Sequence, residues 1–246
     1  MGRAIALAFA QEGANVTICG RTEADLRRTE IELARVGSQH HVLAIPADLS
    51  VARDIRRVVR DTFNRFGQIN ILVTHVGYGP PGRPSELNDE TIITAFEENF
   101  LSAVRFAREV VPYMKQQRWG RIVNLLPQLM RQSGDATALS TSSQMALVGY
   151  AKMLANELAP FNITVNNLVS GPVQTEFLSA TLESRAQAQG RSSDDLVKET
   201  ISGIPMGRIG KPEEVGDLVA FLGSERAAFL TGTSVVLDGG MLQAIS

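Results

Sequence analysis

Cys19 is the only cysteine among 246 residues, so an internal disulfide is excluded and the chain fits a reducing compartment. Lying in an apolar run, Cys19 reads as a small buried hydrophobe. No apolar run approaches the length of a membrane span. The opening segment has the look of an export signal until Gln11 and Glu12 interrupt it, so a cytoplasmic protein with no membrane contact is expected. Lysine and arginine (24) nearly balance aspartate and glutamate (26) and are scattered, which argues against a nucleic-acid partner. Aromatics are few, and there is neither an internal repeat nor a dividing linker. A single domain over residues 1–246 is predicted.

What is present is an alternation. Short β-branched apolar runs at 15–19, 42–45, 69–76, 121–126, 163–169 and 234–237 are separated by segments with helical spacing at 23–36, 51–66, 90–115, 142–158 and 213–222. This pattern predicts an α/β fold of β-α units on a parallel sheet. Gly13, Gly37 and Gly67 fall where helices need a left-handed terminating residue. Residues 77–84, rich in proline and glycine, read as a loop at the carboxyl end of the sheet, where open α/β folds bind ligands. The polar, helix-compatible stretch around 179–195, within about 177–202, reads as a mobile lid.

The chain opens in a helix at 2–11 with no strand before it. In a doubly wound sheet that first strand is central. Without it, its two neighbours would stand about 9.6 Å apart, twice the normal spacing, with unpaired edges costing about 1–3 kcal/mol for each buried unpaired amide.

A series of landmarks in order resembles one family. These are Gly2-Arg3-Ala4-Ile5-Ala6, Ala47-Asp48-Leu49, Asn99, Gly120-Arg121-Ile122-Val123-Asn124, Asn162 to Asn167 with Gly171-Pro172-Val173-Gln174-Thr175, Pro205 to Glu214, and Leu237-Asp238-Gly239-Gly240. Together they resemble the short-chain dehydrogenases/reductases, in particular the 3-oxoacyl-(acyl-carrier-protein) reductase-like branch, over residues 2 to about 240. The resemblance implies a Rossmann-like doubly wound parallel sheet between two helical layers, here apparently lacking its first strand, a nicotinamide cofactor at the carboxyl ends of the strands and commonly a homotetramer or homodimer. The family's glycine-rich signature T-G-x-x-x-G-x-G survives only as Met1-Gly2. A misplaced or truncated start, with Met1 inside that turn, is expected in preference to a natural fold without its central strand.

In the family a tyrosine exchanges the proton, a lysine four residues on lowers its pKa and holds the nicotinamide ribose, and a serine thirteen residues upstream orients the substrate oxygen. Matching the flanking segments places Pro127, Ser140 and Gln144 at the serine, tyrosine and lysine positions. Proline has no hydroxyl or amide hydrogen, a serine hydroxyl is far less acidic than a phenol, and glutamine brings no positive charge. Of the family's catalytic group Asn99 alone matches; a structural role at a helix irregularity is its plain alternative. His75, with an ordinary pKa suited to acid–base work, and Tyr78 and Tyr150 are substitutes to be weighed against simple packing. Tyr150, ten residues beyond Ser140, is about 280° around the helix and faces elsewhere.

For the cofactor, the resemblance assigns Gly2, Arg21, Asp48, Leu49, Gly77 and Thr175. With no acid at the end of the second strand, Arg21 is placed to clamp a 2′-phosphate, so NADP(H) is expected over NAD(H); an ordinary surface charge is the alternative. No metal site is expected. Two functions remain open: redox on a small carbonyl or alcohol substrate, or a catalytically inactive member acting as a binding or hetero-oligomer partner.

Overall fold

Each amphipathic helix can bury its apolar stripe only against a sheet face, so the alternation resolves into layers. The computed structural model describes residues 1–37, 41–75, 77, 82–127 and 138–243. The first half runs α1 (Gly2–Gln11), β1 (Val16–Gly20), α2 (Glu23–Val36), β2 (Val42–Pro46), α3 (Ala52–Phe66) and β3 (Ile71–His75). Then come α4 (Asp89–Phe96), α5 (Ser102–Gln117), β4 (Gly120–Pro127), α6 (Ala138–Leu158) and β5 (Ile163–Ser170). The chain finishes with α7 (Glu176–Gln189), α8 (Ser193–Ser202), α9 (Pro212–Leu222) and β6 (Ser234–Leu237).

All strand pairs are parallel, and they form two sheets: β1 with β2, and β3, β4, β5 and β6 in that order. Among the described residues no strand stands between β1 and β3, as the missing β of the first β-α unit predicts. The helical layers hold the two parts together. Ile55 and Val58 of α3 share one core with Phe106 and Val110 of α5 and Leu154 of α6. On the other face α1 joins both halves, through Ile5 against Val215 and Val219 of α9 and through Ala6 and Ala10 against Leu33 of α2. Leu125, Leu126, Leu168 and Val169 of the central strands are fully buried, each worth about 1.5–3 kcal/mol relative to exposure.

The central strands also carry polar residues that no apolar pattern predicts. Thr74 Oγ1 donates to Asn124 Oδ1 (2.8 Å), Asn124 Nδ2 to Asn167 Oδ1 (2.9 Å) and Asn167 Nδ2 to Ser234 Oγ (3.2 Å). These four are register partners across β3, β4, β5 and β6. A one-residue slip would turn the row to the opposite face and orphan it, so the row pins the register.

Several sequence expectations need correction. The helix expected over 90–115 is interrupted: a π-helical turn, Glu97–Leu101, separates α4 from α5. Gly13 and Gly67 do take the left-handed conformation, but Gly37 ends α2 at φ −104°, because its amide can still reach Leu33 O (3.0 Å) without it. The third strand is shorter than 69–76, and residue 76 lies outside the described residues, as do 78–81 of the expected loop. The segment read as a lid forms the pair α7 and α8, capped by Thr175 and Ser192 and packed together through Leu182, Ala186 and Leu196.

Candidate active site

The carboxyl ends of the strands carry the candidate residues. At one side β1 ends in Gly20, whose carbonyl accepts from Ala47 N (2.9 Å) and so holds the end of β2 beside Arg21. Asp48 then closes its own turn, its Oδ1 accepting from Ser50 N (3.0 Å) and Ser50 Oγ (2.7 Å). These bonds, the hydroxyl first, hold the Asp48 carboxyl below its ordinary pKa, with the Arg21 charge helping. Arg21 itself is largely exposed and stands 3.9 Å from Glu98, a loose pairing of exposed groups that a dianion can displace. Gly2, Arg21 and Leu49 line one cavity of about 740 Å³. Gly2 begins α1 with no side-chain cap, and a side-chain Cβ there would meet nothing within 4 Å. An uncapped helix start of this kind presents free amides that suit a phosphate.

At the other side the π turn aims Asn99 inward. Its Nδ2 donates to Ser143 Oγ (3.2 Å), and Ser143 Oγ donates to Leu139 O (2.7 Å). One residue further along α6, Gln144 Nε2 donates to Gly77 O (3.2 Å), just after β3. Asn99 and Gln144 are almost wholly buried, yet among the described residues Asn99 Oδ1 and Gln144 Oε1 have no hydrogen-bond partner. Gly77 lies between them: a Cβ added there would come within 3.9 Å of Asn99 Oδ1. Two buried acceptors without donors each carry a desolvation cost of about 1–3 kcal/mol. A ligand that brings hydroxyl or amide hydrogens relieves it.

Asn99, Gly77 and Gln144 therefore come together. Ser140 is buried one turn before Gln144 on α6, and Pro127 is the last, buried residue of β4, in register with Ser170. The lone lysine of α6, Lys152, lies two turns beyond Gln144 and donates to Gly232 O (3.2 Å), so it brings no charge to Ser140. Thr175 stands apart as the cap of α7, its Oγ1 accepting from Leu178 N (3.2 Å). His75 lines the 740 Å³ cavity, and its surroundings lower its pKa to about 4, chiefly by burial and secondarily through the nearby amino terminus. Because the ring opens on the cavity, water there moderates the shift; the imidazole is neutral at pH 7 either way. Tyr150 meets the Phe100 ring edge-on at 6.0 Å between centroids, away from Ser140 as its helical angle predicts, and burial raises its pKa. Tyr78 lies outside the described residues.

Sequence reading missed Ser143. Nothing in its spacing distinguishes it from Ser142, and only the π turn, 44 residues upstream, selects it. Among the described residues no group of three or more His, Cys, Asp or Glu is placed to hold a metal, and no helix is long and apolar enough to cross a membrane.

The family model described as enoyl-(acyl carrier protein) reductase matches residues 1–242. The chain is 31% identical to the uncharacterized oxidoreductase YvrD of Bacillus subtilis, over all of this chain and 93% of that protein. It is 26% identical to the NADPH-dependent reductase BacG of the same organism, over all of this chain and 95% of the relative. Among solved structures, L-sorbose reductase from Gluconobacter frateurii, complexed with NADPH and L-sorbose, superposes with a TM-score of 0.93 at 28% identity, covering 99% of this chain and 93% of the other.

Proposed function

Since the chain belongs to the short-chain dehydrogenase/reductase family of oxidoreductases, we propose that it binds NADP(H) and that its proton-transfer machinery is largely dismantled. The observation that supports the first half is the pair of buried acceptors beside Gly77, Asn99 Oδ1 and Gln144 Oε1, that have no partner among the described residues. They fit the hydroxyls of a ribose. The uncapped start of α1 at Gly2 suits the pyrophosphate, and Arg21, exposed and in loose contact with Glu98, suits a 2′-phosphate better than a bare ribose. Asp48 and Leu49 would flank the adenine, and Thr175, the cap of α7, would meet the pyrophosphate or carboxamide. The relatives described as NADPH-dependent or complexed with NADPH support the same choice.

When bound, NADP(H) supplies a hydride to a carbonyl carbon or takes one from an alcohol. The chain's own residues must then move the proton. At the tyrosine position Ser140 offers a hydroxyl far less acidic than a phenol, Gln144 at the lysine position can accept and donate hydrogen bonds but carries no charge, and Pro127 cannot orient a substrate oxygen. Positioned acid–base catalysis is worth roughly 10²–10⁴-fold, so its loss raises the barrier by about 3–5 kcal/mol. Alignment of the bound reactants still contributes about 7–11 kcal/mol. The expected activity is slow reduction of an activated small carbonyl, with the proton taken from water and the α7–α8 pair shaping the substrate pocket.

The same three residues favour a second reading, an inactive member that serves as a binding or hetero-oligomer partner. Exposed Ile93 on α4 and Met145 and Met153 on α6 support assembly into a dimer or tetramer through these helices. A triple variant, Pro127→Ser with Ser140→Tyr and Gln144→Lys, tests the dismantled relay. NADPH oxidation with a panel of activated ketones should rise by about 10²-fold or more over the parent. A parent already as fast as the triple variant, with loss of activity in Ser140→Ala, would defeat the proposal.

A further inference from the structure

A second cavity, of about 450 Å³, lies where α3 runs beside α5, and none of the described candidate site residues lines it. Basic residues are scattered along the chain, but α3 gathers four of them here: Arg53, Arg56, Arg57 and Arg60. Positions 53 and 56, and 57 and 60, are three apart, while 53 and 57, and 56 and 60, are four apart. At these spacings like charges on a helix repel. Their partners hold them loosely or not at all. Arg56 is exposed and has no hydrogen-bond or ion-pair partner among the described residues. Arg53 and Arg57 stand 3.9 and 3.7 Å from Asp54, whose Oδ2 already accepts from Asp48 N (3.0 Å). Arg57 also donates to Pro46 O (2.6 Å), which fixes its guanidinium, and Arg60 reaches its neighbour Asp61 (2.9 Å). From α5 the cavity receives Glu109 and Tyr113, one turn apart on the same face. Both are half-buried, and neither the carboxylate nor the hydroxyl has a hydrogen-bond partner among the described residues. The Tyr113 ring packs on Phe63 at 4.4 Å between centroids, which sets the position of its hydroxyl.

We propose that this cavity binds a small phosphate monoester that also carries hydroxyl groups, the chemistry of a sugar or polyol phosphate. The arginines select the anion. A phosphate monoester bears about 1.5 to 2 negative charges at pH 7 and three terminal oxygens, so it can engage several guanidinium forks at once, where a carboxylate has only two oxygens to share. Bound there, it also screens the repulsion among the four arginines. Glu109 selects what the phosphate is attached to. Its carboxylate repels a bare anion but accepts from a hydroxyl, so it disfavours inorganic phosphate and favours an ester with a hydroxyl beside the phosphate. Tyr113 adds a group that can donate or accept. The volume agrees with the occupant, since small-molecule sites run from about 300 to 1,000 Å³.

The probe is glycerol 3-phosphate, titrated by calorimetry into the intact chain in a low-salt buffer free of phosphate, with inorganic phosphate as the comparison. The ester should bind saturably, and inorganic phosphate roughly three- to tenfold more weakly. Arg56→Gln, an exchange of good helix formers at an exposed position, should weaken the ester by about tenfold or more. Glu109→Ala should abolish the preference for the ester while inorganic phosphate binds at least as well as before. Arg21→Ala, which alters the candidate cofactor cleft, should leave ester binding unchanged. The proposal is overturned by the absence of saturable binding, by inorganic phosphate binding as tightly as the ester to the parent chain, or by full ester affinity in Arg56→Gln. Loss of ester binding in Arg21→Ala would place the ester in the cofactor cleft and overturn it as well.

Discussion

Gln144→Met separates stability from ligand binding at one atom. Methionine nearly conserves the shape of glutamine, and volume-conserving core swaps cost little in packing. The change removes a buried amide oxygen, Gln144 Oε1, that has no partner among the described residues, relieving about 1–3 kcal/mol. It also removes the 3.2 Å bond from Gln144 Nε2 to Gly77 O, worth about 0.5–1.5 kcal/mol. Gly77 is exposed, so water takes over its carbonyl. The net change is stabilisation by about 0–2 kcal/mol, or a rise of up to about 8 °C in the thermal midpoint for a chain of this size. Without the acceptor, a bound ribose loses one hydrogen bond, and NADPH affinity falls roughly 2- to 10-fold. Calorimetric melting of the free protein and a fluorescence titration of NADPH read the two effects separately. A midpoint lowered by more than about 3 °C would show that Gln144 Oε1 is satisfied in the free protein, and would refute the reading of it as a ligand-directed acceptor.

Two further predictions concern the scaffold and the alternative base. Gly216→Ala should destabilise the chain by about 1–3 kcal/mol, lowering the thermal midpoint by several degrees, because the new Cβ would sit 2.8 Å from Ala4 O and 3.2 Å from Ala8 Cβ where α9 crosses α1; an unchanged midpoint would contradict this close crossing. His75, with its pKa lowered below 6.5, binds fewer protons folded than unfolded as pH falls through that value, so its contribution to stability is present above pH 6.5 and lost as pH falls below it. An NMR titration should find the ring neutral at pH 6, and His75→Gln should flatten the acid limb of stability; a ring that titrates near 6.5 would return His75 to the list of candidate bases.

The strands were readable because parallel strands covered on both faces are short apolar runs, and all six observed strands lie within a residue or two of 15–19, 42–45, 69–76, 121–126, 163–169 and 234–237. The gap beside β1 was readable for a related reason: a helix with no strand before it leaves a β-α unit without its β. The π turn at Glu97–Leu101 was not legible, since one extra residue per turn leaves the apolar spacing of 90–115 almost unchanged. Yet that turn orients Asn99, so the side chain was named from the sequence while its partner Ser143 was not. The polar row from Thr74 to Ser234 escaped for the opposite reason: its members are far apart in the chain and meet only through strand register. Thr175 was matched by motif, and its contact in the structure is the cap of its own helix.

The most direct test is an equilibrium titration of the folded chain with NADPH and with NADH, repeated on Arg21→Ala. Saturable binding, tighter for NADPH than for NADH by about tenfold or more and levelled in Arg21→Ala, is the predicted result, since a charge-assisted contact to a 2′-phosphate is worth roughly 1.5–3 kcal/mol. A folded protein that binds neither cofactor would contradict the account and leave the interaction-partner reading in its place.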